Sequence, residues 1–425
     1  MTIILNPAKS EWKDLCIRPE IGKSYIENAI LDILYKVRTE GDKAVKHYCE
    51  KFDGFSPDSL KIDIKEIKAA SSSISAELKG AIGKAMANIE KFHAAQLIAE
   101  QPVVTSKGIT CWRKNVAIEK VGLYIPGGSA PLFSTLLMLG IPAKIAGCNL
   151  ITICTPAGKD GKVNPVILYT AGILGITDIF KIGGAQAIAA MAYGTETVPK
   201  VYKIFGPGNQ YVTKAKQLVQ QDGVAIDMPA GPSEVLIIAG KDANPAFVAA
   251  DLISQAEHGP DSQVVLTTDY KDLLSKVREE VEKQTKLLER KEIIEKAIEN
   301  CRLILFASLQ ECIDFSNEYA PEHLIINSSE YGKYTGKVTN AGSVFLGQYS
   351  CESMGDYASG TNHTLPTNGY ARNYSGVSTE SFIKRITFQE VTQEGIRELG
   401  PDVEKMAEAE LLTGHKNAVT LRLKK

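Results

Sequence analysis

The chain lacks several features that would fix its class at once. Its 425 residues contain no apolar run of about 18 residues, so no membrane-spanning helix is expected. It also has no long basic run. Lysine and arginine number 48 against 50 acidic residues, a net charge of -2. That balance argues against a nucleic-acid partner and leaves small-molecule chemistry as the default. The opening stretch, MTIILNPAKSEWKDL, has no basic segment followed by an apolar one, so no signal peptide and a cytoplasmic location are expected. Eight cysteines occur without CxxC spacing, several of them in apolar stretches, such as Cys154 in LITICTP. They read as reduced thiols rather than a disulfide framework. There is no HExxH, and no GxGxxG followed about 20 residues later by an acid.

The composition itself is ordinary for a globular protein, at 44% hydrophobic and 23% charged. At roughly 150 residues per domain the length suggests two or three domains. Residues 23–99 read largely as helices. From Val121 short apolar strands alternate with helical runs: VGLYI, LITIC, DIFKI, VYKIF, EVLII, QVVLTT, RLILF and HLIIN are strand candidates. Such alternation implies parallel sheets covered on both faces. Eight strands exceed what one small sheet needs, so two α/β units are expected, with the changeover near Met228–Ser233. Glycine-rich segments follow Tyr124, Ile182 and Phe205, at the carboxyl ends of strands, where α/β sheets bind ligands. After Thr364 the pattern stops. A turn-rich connector leads to FIKRITFQEV, a helix through VEKMAEAELL and a terminal strand, AVTLRL. This segment is too small to bury a core alone and should dock on its own subunit or on a partner.

Only six histidines occur. His47 and His93 lie in helical, charged surroundings and read as surface or core residues. The other four sit among turn formers and polar groups. His258 should end the helix through FVAADLISQAE, because Gly259 and Pro260 follow it. Gln255, three residues earlier, shares its helix face. Glu322 and His323 precede an apolar strand, and neighbours in an extended segment point opposite ways. His323 would be a natural general base near neutral pH. Asp356 and His363 lie among glycines, whose backbone lets a ligand approach closely. Glu410 and His415 are five apart, and Gly414 can end the helix between them. Taken singly, each histidine also fits a plain role as a helix cap, a turn residue or an exposed loop residue. Together Gln255, His258, Asp356 and His415 offer nitrogen and oxygen donors only. That set is wrong for a cysteine-rich structural zinc and suits a site that keeps positions open for substrate.

The segments GLYIPGGSAPLFST, IGGAQAIAA, KIFGPGN, DMPAGPSEVL, SQAEHGPDSQ, PEHL, GDYASGTNH and LLTGHKNAVTLR, in this order from Gly122 to Arg422, closely resemble the histidinol dehydrogenase family. The resemblance implies two incomplete Rossmann-like parallel-sheet domains with small N- and C-terminal segments, the latter docking on the partner subunit of a homodimer. The corresponding boundaries are an N-terminal segment of residues 1–22 and a discontinuous first α/β domain of 23–123 and 237–372. The second, NAD-associated domain is 124–236, and a C-terminal dimerisation segment is 373–425. The implied activity oxidises L-histidinol through the aldehyde to L-histidine and reduces two NAD, with one zinc per subunit.

By the same resemblance Gln255, His258, Asp356 and His415 would ligate zinc, His323 would be the general base, and Glu322 would activate water. Ser233, His363 and Glu410 would contact substrate, alongside the zinc ligands and His323. Tyr124, Gln186 and Asn209 would line the NAD site. The chain departs from the family in small ways: Cys351 stands where proline is frequent, and Gly414 where alanine is. Gly414 should loosen the tail until zinc binds. A zinc hydrolase would want the missing HExxH. A relative acting on another amino alcohol would change the positions of His363 and Glu410, which here match the histidinol pattern.

Overall fold

The computed structural model describes residues 1–18, 23–127, 131–229 and 231–424. All eight expected strands form, and they divide between two parallel sheets. The first sheet orders Asp178–Lys181, Leu150–Thr155, Lys120–Tyr124, Lys203–Phe205 and Ala225–Ile226 side by side. Counted along the chain this is the order 3-2-1-4-5, that of a Rossmann sheet lacking its sixth strand. The second sheet repeats the order with Glu234–Ala239, Gln263–Thr268, Arg302–Leu305, His323–Asn327 and Ser343–Leu346, and adds Thr2–Leu5 at one edge. All pairings in both sheets are parallel.

The reason is visible in the strand Glu234–Ala239. Val235, Ile237 and Ala239 enter one apolar cluster with the helix Pro245–Ala256, while Leu236 and Ile238 enter another with Trp12, Phe306 and Phe315. Both faces are apolar, so the strand must lie in the middle of a layered sheet. The second sheet opens at Glu234, just after Met228–Ser233.

Three features differ from the sequence reading. The helices Lys23–Glu40, Ile64–Ala70 and Ala76–Ala94 pack on helices that cover the first sheet, not the second. Ile26, Ile30 and Val45 share a core with Ile188 and Val212, and Ile82 and Ile89 share one with Leu136 and Leu139. The grouping of residues 23–123 with 237–372 therefore departs from the observed packing, which is a long-range choice that no local pattern encodes. AVTLRL is not a strand but lies in the helix Thr413–Leu423. Val419 and Leu423, four apart, meet Gly400 of the helix Gln393–Ala409, a helical spacing that the local apolar-polar alternation conceals. Gly414 lies inside that last helix. It is Leu411, with φ +60°, that turns the chain between the two helices.

FIKRITFQEV forms the strand Ile383–Val391, antiparallel to Ile109–Ala117, with Val103–Ser106 on the far side. The two closing helices bury little, and Met406, Leu411 and Leu421 are exposed. The eight cysteines are all free. Among the described residues, no helix is long and apolar enough to cross a membrane.

Candidate active site

Four elements converge at the amino ends of the central strands of the second sheet. His323 opens its strand, beside Glu234 and Val235. The helix Pro245–Ala256 delivers Gln255, with His258 just beyond its end. The short helix Glu352–Tyr357 carries Glu352 and Asp356 one turn apart. The segment after it carries His363. The convergence is at the amino edge of this sheet, whereas the glycine loops of the first sheet lie at its carboxyl edge. Two contacts join these edges. Thr135, in the first turn of the helix after Lys120–Tyr124, hydrogen-bonds His363 Nε2 at 3.0 Å. Asn362 donates to the Met138 carbonyl at 2.6 Å.

Ligand atoms of His258, Glu352 and Asp356 lie within 4.8 Å of one another. Glu352 was not singled out from sequence, although its spacing of four from Asp356 was a usable signal. Gln255 is fully buried. With its amide nitrogen facing the acceptors around it, Gln255 donates to both Glu352 oxygens, at 2.8 and 3.1 Å. This leaves the amide oxygen directed away from Glu352. His323 Nδ1 lies 3.2 Å from the Glu234 carbonyl and Nε2 lies 3.4 Å from Asp356 Oδ1. Glu322 accepts the Glu234 backbone N–H at 2.8 Å and sits 3.6 Å from His323 Nδ1.

The electrostatics are those of a site with too much negative charge. Burial pushes the Glu322 carboxyl up to about 8, and burial likewise pushes Glu352 well above the usual carboxylate range. Asp251, one turn before Gln255 and nearly buried, is pushed to about 7 by burial. Burial opposes charge on His323, but Glu352, Glu322 and Asp356 outweigh it and raise the imidazole well above its ordinary value. Asp356 shows the reverse balance, with burial outweighed by His323, so its carboxyl is lowered. Asp356 Oδ1 and His323 Nε2 are buried without a hydrogen-bond partner. Three acids around one imidazole and the carbonyl end of a helix favour a cation at this point. The oxygen and nitrogen donors suit zinc or another borderline divalent ion.

His363 is half-buried, and its desolvation lowers its basicity. Its Nδ1 donates to the Asp356 carbonyl at 2.9 Å, so Nε2 accepts from Thr135. A direct substrate contact from His363 requires one of these bonds to open. Ser233 lies just before Glu234, half-buried. Glu410 and His415 are exposed on the C-terminal arm, and His415 is not part of the cluster.

On the first sheet, the crevice at the reversal of strand order lies between Lys120–Tyr124 and Lys203–Phe205. Tyr124 is buried there, with its hydroxyl accepting from Gly184 N at 3.1 Å. The buried Gln186 faces Asp53, and Asn209 caps the helix Gln210–Gln221 through the N–H groups of Tyr211 and Val212. All three expected NAD residues thus lie at this edge. Part of the glycine loop, Gly128–Ala130, falls outside the described residues.

A carboxylate–imidazole cluster, buried at Glu322, His323 and Glu352 and open to solvent at His258, facing the carboxyl edge of a Rossmann-type sheet is the equipment of an α/β dehydrogenase. Known proteins resolve the class further. The family model for histidinol dehydrogenase matches residues 17–423. Histidinol dehydrogenase from Bacteroides thetaiotaomicron is 56% identical over 423 residues, covering 100% of this chain and 99% of that one. The enzyme of that name from Escherichia coli K12 is 51% identical over 416 residues, covering 97% and 95%. A crystal structure of histidinol dehydrogenase from Elizabethkingia anophelis superposes with a TM-score of 0.98 at 57% identity, covering 100% and 98%. The chain belongs to the histidinol dehydrogenase family.

Proposed function

We propose that the protein oxidises L-histidinol through L-histidinaldehyde to L-histidine, reducing two NAD, as a cytoplasmic homodimer with shared active sites. The observation that carries this reading is the convergence of Gln255, His258, Glu352 and Asp356 beside the Glu322–His323 pair. Zinc held by Gln255, His258, Asp356 and the partner subunit's His415 would supply a Lewis acid that fixes the imidazole and amino nitrogens of histidinol. The arm's exposed apolar residues, with Glu410 and His415 exposed beside them, support its docking on a second copy.

His323 is the base of the first step. With Nδ1–H donated to Glu234, Nε2 takes the hydroxyl proton as hydride leaves the carbinol carbon for the nicotinamide. Water then adds to the aldehyde, with Glu322 orienting it, and a second hydride goes to a fresh NAD. His323 can accept a proton only when the anionic field around it is balanced, which a divalent cation would do. Ser233, His363 and the partner's Glu410 would line the substrate, and Tyr124, Gln186 and Asn209 the cofactor. The test is NADH formation from L-histidinol and NAD, before and after chelation and zinc return. Activity that is lost and then restored supports the reading, and indifference to chelator removes the metal from it.

A further inference from the structure

One residue, Glu234, touches both members of the proposed proton-handling pair through its backbone. Its N–H donates to Glu322 Oε2 at 2.8 Å, and its carbonyl lies 3.2 Å from His323 Nδ1. With the proton on Nδ1 this second contact is a hydrogen bond, and Nε2 then carries the lone pair, 3.4 Å from Asp356 Oδ1. What holds Glu234 is its own side chain, which is fully buried. Arg18 Nε and Nη2 reach its two oxygens at 3.0 Å each, in the bidentate geometry that only arginine offers. The Asn368 N–H adds a third bond, to Oε1 at 2.9 Å.

Arg18 also grips the other strand. Nη2 donates to the Tyr319 carbonyl at 2.7 Å, and the guanidinium stacks 3.7 Å from the Tyr319 ring. Tyr319 ends the helix that leads directly into Glu322 and His323. A single guanidinium from the N-terminal segment therefore braces the starts of both strands that carry the site. Arg18 itself touches neither Glu322 nor His323.

We propose that Arg18 is a positioning residue for proton transfer, acting through Glu234 on Glu322 and His323. This rests on the roles given to Glu322 and His323 above. Without Arg18 the buried Glu234 carboxylate loses its counter-ion and two hydrogen bonds, so it takes up a proton or shifts toward water, and in either case the bidentate hold on the strand start is gone. A displacement of about 1 Å at a reacting group costs on the order of 100-fold in rate.

The test uses zinc-loaded holoenzyme and follows histidinol oxidation. Arg18→Met should lower kcat by roughly 10- to 100-fold, with zinc content held and KM for histidinol moved little. Arg18→Met/Glu234→Gln should regain part of the loss, because the unpaired charge is gone. The decisive readout is the same substitution in a His323→Asn background, where it should cost little more, since the pair it positions is already disabled. A loss that multiplies in full in that background would overturn the proposal, as would an unchanged kcat. Arg18→Lys keeps the charge without the fork and carries the same cycle if Arg18→Met fails to fold. Full activity of His323→Asn alone would instead refute the role of His323 and is read separately.

Discussion

Replacing Glu352 with glutamine keeps the shape of a residue that is 1% exposed while removing its charge. Glu352 accepts both bonds from the Gln255 amide and lies in the cluster with His258 and Asp356. Two consequences follow. A unit charge about 4 Å from a divalent ion is worth several kcal/mol at an effective dielectric of about 20. Against that, the buried carboxylate is costly to ionise, as its strongly raised pKa shows. A side chain that orients a ligand typically contributes 10- to 100-fold in metal affinity. The expected outcome for Glu352→Gln is therefore a roughly 10- to 100-fold weaker zinc affinity, with the fold intact. Competition with a chromogenic chelator measures the affinity, and circular dichroism checks the fold. Unchanged affinity would refute the reasoning, because it would mean that Glu352 neither orients Gln255 nor adds charge that the ion feels.

Three further outcomes are expected. His323→Asn should lower turnover on histidinol by about 10²- to 10⁴-fold with zinc retained, measured by steady-state NADH formation and metal analysis. Glu322→Gln should spare alcohol oxidation more than aldehyde oxidation, which single-turnover assays of the two half-reactions separate; equal losses would contradict the division of labour. In metal-free protein Asp251 makes stability depend on pH. Burial raises its carboxyl from 3.8 to about 7, so the folded state holds the proton more tightly than the unfolded one. The favourable contribution is full below about pH 4 and is lost as pH rises through about 7. Asp251→Asn should flatten that slope in thermal unfolding followed from pH 4 to 8, removing at most about 4 kcal/mol of pH dependence.

The sheets were legible because their strands are short continuous apolar runs, buried on both faces, as in EVLIIA and HLIIN. Helix packing over long sequence distances was not, which is why residues 23–94 were grouped with the wrong sheet. The final helix was hidden by the alternation in AVTLRL, whose apolar residues face Gly400 at helical spacing instead. At the site, each histidine was ambiguous alone, since turn formers surround functional and structural histidines alike. The family resemblance assigned their roles. It did not reveal Glu352, which sits in a six-residue helix among turn formers, nor the Arg18 brace, whose partner is more than 200 positions away. Nor did it show that both ring nitrogens of His363 are engaged by Asp356 and Thr135.

The most direct measurement is the stoichiometry of the purified zinc-loaded protein with limiting L-histidinol and excess NAD. Two NADH formed per histidinol, with histidine as product and no free aldehyde, is the predicted result. One NADH with aldehyde released into solution would contradict the two-step oxidation at a single site.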